Sequence, residues 1–237
     1  MIPDRARSVA ALEVAAIYGA LVAWLTGGRR LLGAVVSPQA TSAGRVVVLQ
    51  VALTAILTMA LVALRVRRDR DPWRSLGLVR RPFGPTFAEA IAGAFVAYVG
   101  AAIAVAITIV VTRVSPTAAA EAKREALAIF SRASLAVLLP TVLVVGIYEE
   151  ILFRGFFLGR LRTALGDGRE GHAIGISAAL FGFAHLYQGP LGVVQTAVAG
   201  LVLGALAVRS GSIVACIGAH VVIDVVGVVL LHALRAR

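Results

Sequence analysis

Long stretches of this chain carry almost no charge, and they predict its architecture. Residues 8–26 hold a single charged residue, Glu13. Residues 46–64, 90–112, 133–148, 171–208 and 210–234 are likewise nearly free of charge. A helix needs about 20 apolar residues to cross the hydrocarbon core. The 171–208 stretch is too long for one crossing, and Gln188-Gly189-Pro190 supplies a turn inside it. Dividing it into 172–187 and 191–208 gives about seven spans, with six to eight compatible with the pattern. Segments that cross lipid must satisfy their backbone internally, so the expected fold is all-α, a polytopic bundle of transmembrane helices. No internal repeat or low-complexity linker breaks the chain. Residues 1–237 therefore read as one integral membrane domain.

Composition strengthens that picture. Hydrophobic residues make up 59% of the 237 positions and charged residues 15%, with a mean hydropathy of +0.92. Soluble domains are nearer half apolar and a quarter charged, so a water-soluble enzyme and a disordered chain are both disfavoured. The net charge is +11. In an apolar chain this fits arginines in cytoplasmic loops better than nucleic acid binding, and no nucleic acid partner is expected. Seven arginines fall in 65–81. They place that loop, and with it the N-terminus, on the cytoplasmic side of the cell membrane; the cluster also fits an anionic-lipid site. Arg235 and Arg237 then fall outside, in mild conflict with the rule. The first span follows Arg5 and Arg7 like a signal peptide, but no small-residue cleavage site ends it and Gly27-Gly28-Arg29-Arg30 follows. It reads as a retained helix. The single cysteine, Cys216, lies in an apolar run and reads as packing.

Ionisable groups inside membrane spans are costly, so each needs a reason. Most of them lie in the C-terminal half, in a motif-bearing core over about 133–234. Glu150 and Arg154 stand four apart on one helix face and can pair. Glu149 points about 100° away from Glu150, which leaves it the acid less neutralised by Arg154. A carboxyl without a cation in low dielectric holds a proton more strongly, which suits a general base. The same spacing equally fits a structural ion pair beside an acid that reaches the headgroups. Phe181 precedes His185 by one turn and can shield and orient its ring. A lone histidine in an apolar helix is more often packed than catalytic. His220 and Asp224 form a second pair four apart, in which the carboxylate can orient the imidazole. His172, His232, Glu13 and Glu89 lie nearer span ends, where interfacial placement is expected. No HExxH, GxSxG, P-loop or Rossmann pattern is present. The remaining tools are carboxylates and imidazoles, which activate water.

The order EExxxR (Glu149, Glu150, Arg154), FxxxH (Phe181, His185) and HxxxD (His220, Asp224) resembles the CPBP family. This family comprises type II CAAX prenyl endopeptidases and Abi-like homologues. The stretch 73–78, WRSLGL, is similar to a short segment upstream of the motifs in many members. The resemblance implies a glutamate-type intramembrane endopeptidase. It would cut near the C-terminus of a membrane-associated substrate, a peptide or lipidated protein, prenylated in the CAAX manner or not. By the same resemblance Glu149 and His185 activate water, His220 and the residue at 224 bind the oxyanion, Glu150 and Arg154 pair structurally, and Phe181 positions the site. Many members carry Asn where this chain has Asp224, and an ionised Asp cannot donate to an oxyanion. Asp224 is then protonated, or serves only to position His220. Two histidines and a glutamate could hold zinc, but their dispersed spacing gives no support for it, and no metal or other cofactor is expected. The competing readings are a non-catalytic immunity or scaffold protein that retains the motif, and a proton-relaying transporter. The lack of an internal repeat argues against the transporter.

Overall fold

The computed structural model describes residues 3–28, 43–128, 130 and 133–235. Arg29, Arg30 and Arg237 lie outside them. The described residues form helices and connecting turns, with no strand among them. Helix α1 covers Asp4–Ala23 and continues as a wide turn to Gly28. It is followed by α2 (Ala43–Val66), the single turn α3 (Pro72–Ser75), α4 (Phe83–Thr112) and α5 (Pro116–Ala126). Next come α6 (Leu135–Glu150), a π-helical segment (Ile151–Phe157), α7 (Leu158–Leu165) and α8 (Glu170–Ala184). After a 3₁₀ turn at Leu186–Gln188, α9 (Gly189–Ser210) and α10 (Val214–Arg235) complete the bundle. Among the described residues, six helices are long and apolar enough to cross a membrane.

Three expected boundaries move, two of them because a charge read as a span edge has a partner. The span expected at 133–148 runs without a break from Leu135 to Leu165. Its apparent end was the charged run Glu149, Glu150 and Arg154, whose central pair neutralises itself inside the helix. The span expected from residue 90 begins at Phe83, and Glu89 within it is paired with Arg81. The first helix begins at Asp4, ahead of residue 8, and its Glu13 is engaged by Arg65 and Arg160. Glu13 is thus an ion-pair partner of Arg65 at the end of α2 and of Arg160 in α7.

The fifth expected span, 172–187, is a shorter helix. At 15 residues and 1.5 Å per residue, α8 reaches about 22 Å, less than a hydrocarbon core. It forms a tight antiparallel hairpin with α9. A Cβ on Gly182 would come within 2.9 Å of the Val193 carbonyl, and one on Gly200 within 3.0 Å of Ala178 Cα. Small residues let the two backbones meet closely, as in membrane helix pairs. The tip of this hairpin carries His185.

The core holds the site in place from below. Leu152, Phe153, Phe156 and Phe157 of the π segment are all buried. Phe153 meets Phe181 edge-on, with centroids 4.9 Å apart. The Phe153 carbonyl accepts the Leu158 N–H in the widened turn and also a hydrogen bond from Ser177 Oγ at 3.0 Å. The 73–78 stretch seats against the same segment. The Gly77 carbonyl accepts the Ile213 N–H at 2.9 Å, and a Cβ on Gly155 would meet the Leu76 carbonyl at 2.7 Å. This short stretch therefore locks the π segment to the start of α10. Helix α1 packs on α7, with Tyr18 edge-on to Phe157 and Arg7 donating to the Leu165 carbonyl. Cys216 is fully buried, its thiol facing the Leu203 carbonyl. His172 is exposed, whereas His232 reaches the Ala133 carbonyl at 2.8 Å and ties the end of α10 to the start of α6.

Candidate active site

Three helices bring their polar residues to one point inside the bundle. Glu149 and Glu150 come from the last turn of α6, His185 from the end of α8, and His220 and Asp224 from α10. Glu149 lies near the middle of the long α6–α7 run, with about 20 Å of helix on either side.

Glu149 Oε2 stands 3.8 Å from His185 Nε2 and 3.8 Å from His220 Nε2. It is buried and makes no hydrogen bond to any described residue. The other oxygen, Oε1, accepts the Tyr148 hydroxyl at 3.1 Å. The side chains of His185 and His220 are 12% and 7% exposed, so the cluster is nearly closed off.

The tautomer of His185 follows from its partner. Its Nδ1 lies 2.8 Å from the Phe181 carbonyl. A carbonyl only accepts, so Nδ1 carries the proton and the Nε2 of the neutral ring presents a lone pair. Glu149 Oε2 and His185 Nε2 are then two acceptors facing one gap. A water that donates one hydrogen to each would satisfy both.

His220 is held differently from the expectation. Its Nδ1 lies 2.7 Å from Glu150 Oε1, the oxygen that also accepts Arg154 Nη1 at 2.6 Å. Asp224 Oδ2 lies 3.6 Å from His220 Nε2, beyond hydrogen-bond distance. The carboxylate that holds the ring is therefore that of Glu150, whereas Asp224 stands on the open side, with its side chain 25% exposed. Glu150 and Arg154 do pair, as their spacing predicts, but the pair reaches a third residue from another helix.

Phe181 is the floor of the site. It is 3% exposed. The rings of His185 and His220 meet it edge-on at 4.7 and 5.8 Å, and the Arg154 guanidinium lies 4.4 Å from its centroid. It positions both imidazoles and the cation, while its carbonyl sets the His185 tautomer. Tyr148 is the residue that sequence reasoning passed over. Its only signal was a phenol next to an acid at the end of an apolar run.

The donor set is loose for a metal. Ligands around tetrahedral zinc at about 2.0–2.2 Å lie about 3.3–3.5 Å apart, closer than the 3.8 Å seen here. Among the described residues, no group of three or more His, Cys, Asp or Glu side chains is arranged to hold a metal ion.

Residues 131–226 match the family model described as type II CAAX prenyl endopeptidase Rce1-like. This segment is Rce1-like. It covers about two-fifths of the chain and contains every residue of the cluster around Glu149. Neither a curated protein nor a solved structure matches the chain. The 73–78 stretch lies outside the Rce1-like segment yet packs on it through Gly155 and Ile213.

Proposed function

We propose that this protein is an intramembrane endopeptidase in which Glu149 activates water to cut a peptide bond near the C-terminus of a membrane-associated substrate, CAAX-type prenylated proteins included. The observation that carries this reading is the convergence of Glu149 Oε2 with two imidazole Nε2 atoms at 3.8 Å each. Water bound between Glu149 and His185 attacks the scissile carbonyl. Its proton passes to Glu149 Oε2 and then to the leaving amine as the carbon–nitrogen bond breaks. With Nδ1 fixed on Glu150, the protonated His220 ring aims an Nε2–H at the developing oxyanion. Asp224 faces that same nitrogen and stabilises its charge without donating. No cofactor enters these steps.

The arginine-rich 65–81 loop supports a cytoplasmic N-terminus in the cell membrane and a site opened from the cytoplasmic side. The partners are then the lipid bilayer and a peptide or lipidated protein. Purified protein in lipid nanodiscs should be given matched prenylated and unprenylated peptides, with products identified by mass spectrometry. One cut near the C-terminus, absent with Glu149→Ala, is the expected result. Peptides left intact, or cut equally by Glu149→Ala, would refute the reading.

A further inference from the structure

We infer that Tyr148 is a positioning residue for the proposed general base, acting through its hydroxyl. This rests on the reading of Glu149 given above. The hydroxyl donates to Glu149 Oε1 at 3.1 Å, and both residues are buried, at 8% and 9% exposure. A carboxyl group is free to rotate about its last torsion, which is broad and roughly two-fold. Anchoring Oε1 removes that freedom and leaves Oε2 as the oxygen that faces His185 and His220. Donor type matters here. A guanidinium in this place would hold the acid as an ion pair, as Arg154 does with Glu150. A neutral phenol can donate to a carboxylate oxygen and, more weakly, to the carbonyl oxygen of a protonated acid. Tyr148 therefore holds Glu149 in one place before and after Oε2 takes the proton from water. Adjacent acids are thereby divided: Glu150 is tied to cations, and Glu149 to a neutral donor that permits it to cycle.

The test compares Tyr148→Phe with Tyr148→Leu in the full chain, measuring kcat and KM separately beside thermal unfolding. Phe keeps the ring and removes only the hydroxyl. It should lower kcat by about 10- to 100-fold, the size of effect that misplacing a reacting group causes, with KM within about twofold and unfolding close to the parent. Tyr148→Leu should lose stability as well. A parental kcat in Tyr148→Phe, with Glu149→Gln inactive, overturns the role of Tyr148 and leaves the peptidase reading standing. A second readout needs no substrate. The infrared carboxylate band that disappears in Glu149→Gln should be displaced in Tyr148→Phe, because its hydrogen bond is gone. An unmoved band overturns the inference, whatever the activity of the parent.

Discussion

Glu150 holds the His220 ring, with Oε1 2.7 Å from Nδ1 across 70 residues of sequence. The same oxygen accepts Arg154 at 2.6 Å, so one buried carboxylate serves the fold and the site together. Glu150→Gln should cost folding, by about 3–5 kcal/mol for a buried ion pair left without one partner. It should also lower turnover per folded molecule, since a neutral amide supports the His220 cation less. The double change Glu150→Gln with Arg154→Met removes the stranded cation. Thermal unfolding should then recover toward the parent while turnover stays low. Recovery of both together would show that Glu150 is structural only.

Asp224 stands on the other side of the same ring, 3.6 Å from Nε2. Its effect is electrostatic and partly screened at 25% exposure. Asp224→Asn should therefore reduce turnover by about 10-fold, whereas His220→Ala should lose about 10²–10³, the range for removal of an oxyanion donor. Steady-state rates on one peptide check both. Asp224→Asn faster than the parent would assign residue 224 a donor role, and a fully active His220→Ala would remove His220 from the site.

The 73–78 stretch should matter although it lies far from the motifs in sequence. Gly155→Ala places a methyl 2.7 Å from the Leu76 carbonyl, and that neighbour is backbone. The variant should lose about 1–3 kcal/mol of stability, as overpacked sites do. Gly159→Ala, on the same helical run with nothing within 4 Å of an added Cβ, should unfold like the parent. Equal melting of the two variants would mean that the contact is not tight.

Much of this arrangement was legible in the chain. The apolar runs gave the helices, and the four-residue spacings gave the Glu150–Arg154 pair and the shared face of His220 and Asp224. Hydropathy failed where a charge had a partner from elsewhere. Glu89 and Glu150 each read as the edge of a span, yet each is neutralised by arginine. A window along the sequence counts the charge but not its partner. The hand-over of His220 from Asp224 to Glu150 was hidden for a related reason. Residues 220 and 224 are neighbours on any helix, while residues 150 and 220 meet only once α6 and α10 pack. The short α8 was read as a full span because the turn after His185 is itself apolar, with Leu186 and Tyr187 in it.

Orientation can be read from single cysteines, because Cys216 is fully buried. Asp167 lies in the exposed turn after α7, and Ser115 is exposed between α4 and α5. In intact cells, a membrane-impermeant maleimide should label Ser115→Cys and spare Asp167→Cys. The reverse pattern would invert the expected topology.

Dialysis against a strong chelator should leave turnover within about twofold of its starting value, because the donor atoms are spaced more widely than zinc ligands. Loss of activity restored by one divalent ion would place a metal between Glu149 and the two histidines.

The most direct test of the proposed chemistry is the single-turnover rate of Glu149→Gln on a peptide that the parent cuts, with peptide binding and thermal unfolding measured on the same sample. Gln keeps the size of the side chain and its acceptor for Tyr148, but it cannot take a proton from water. The expected result is parental binding and folding with a rate lower by about 10²–10⁴, the contribution of a general base. A parental rate in Glu149→Gln would contradict the assignment of Glu149 as the base.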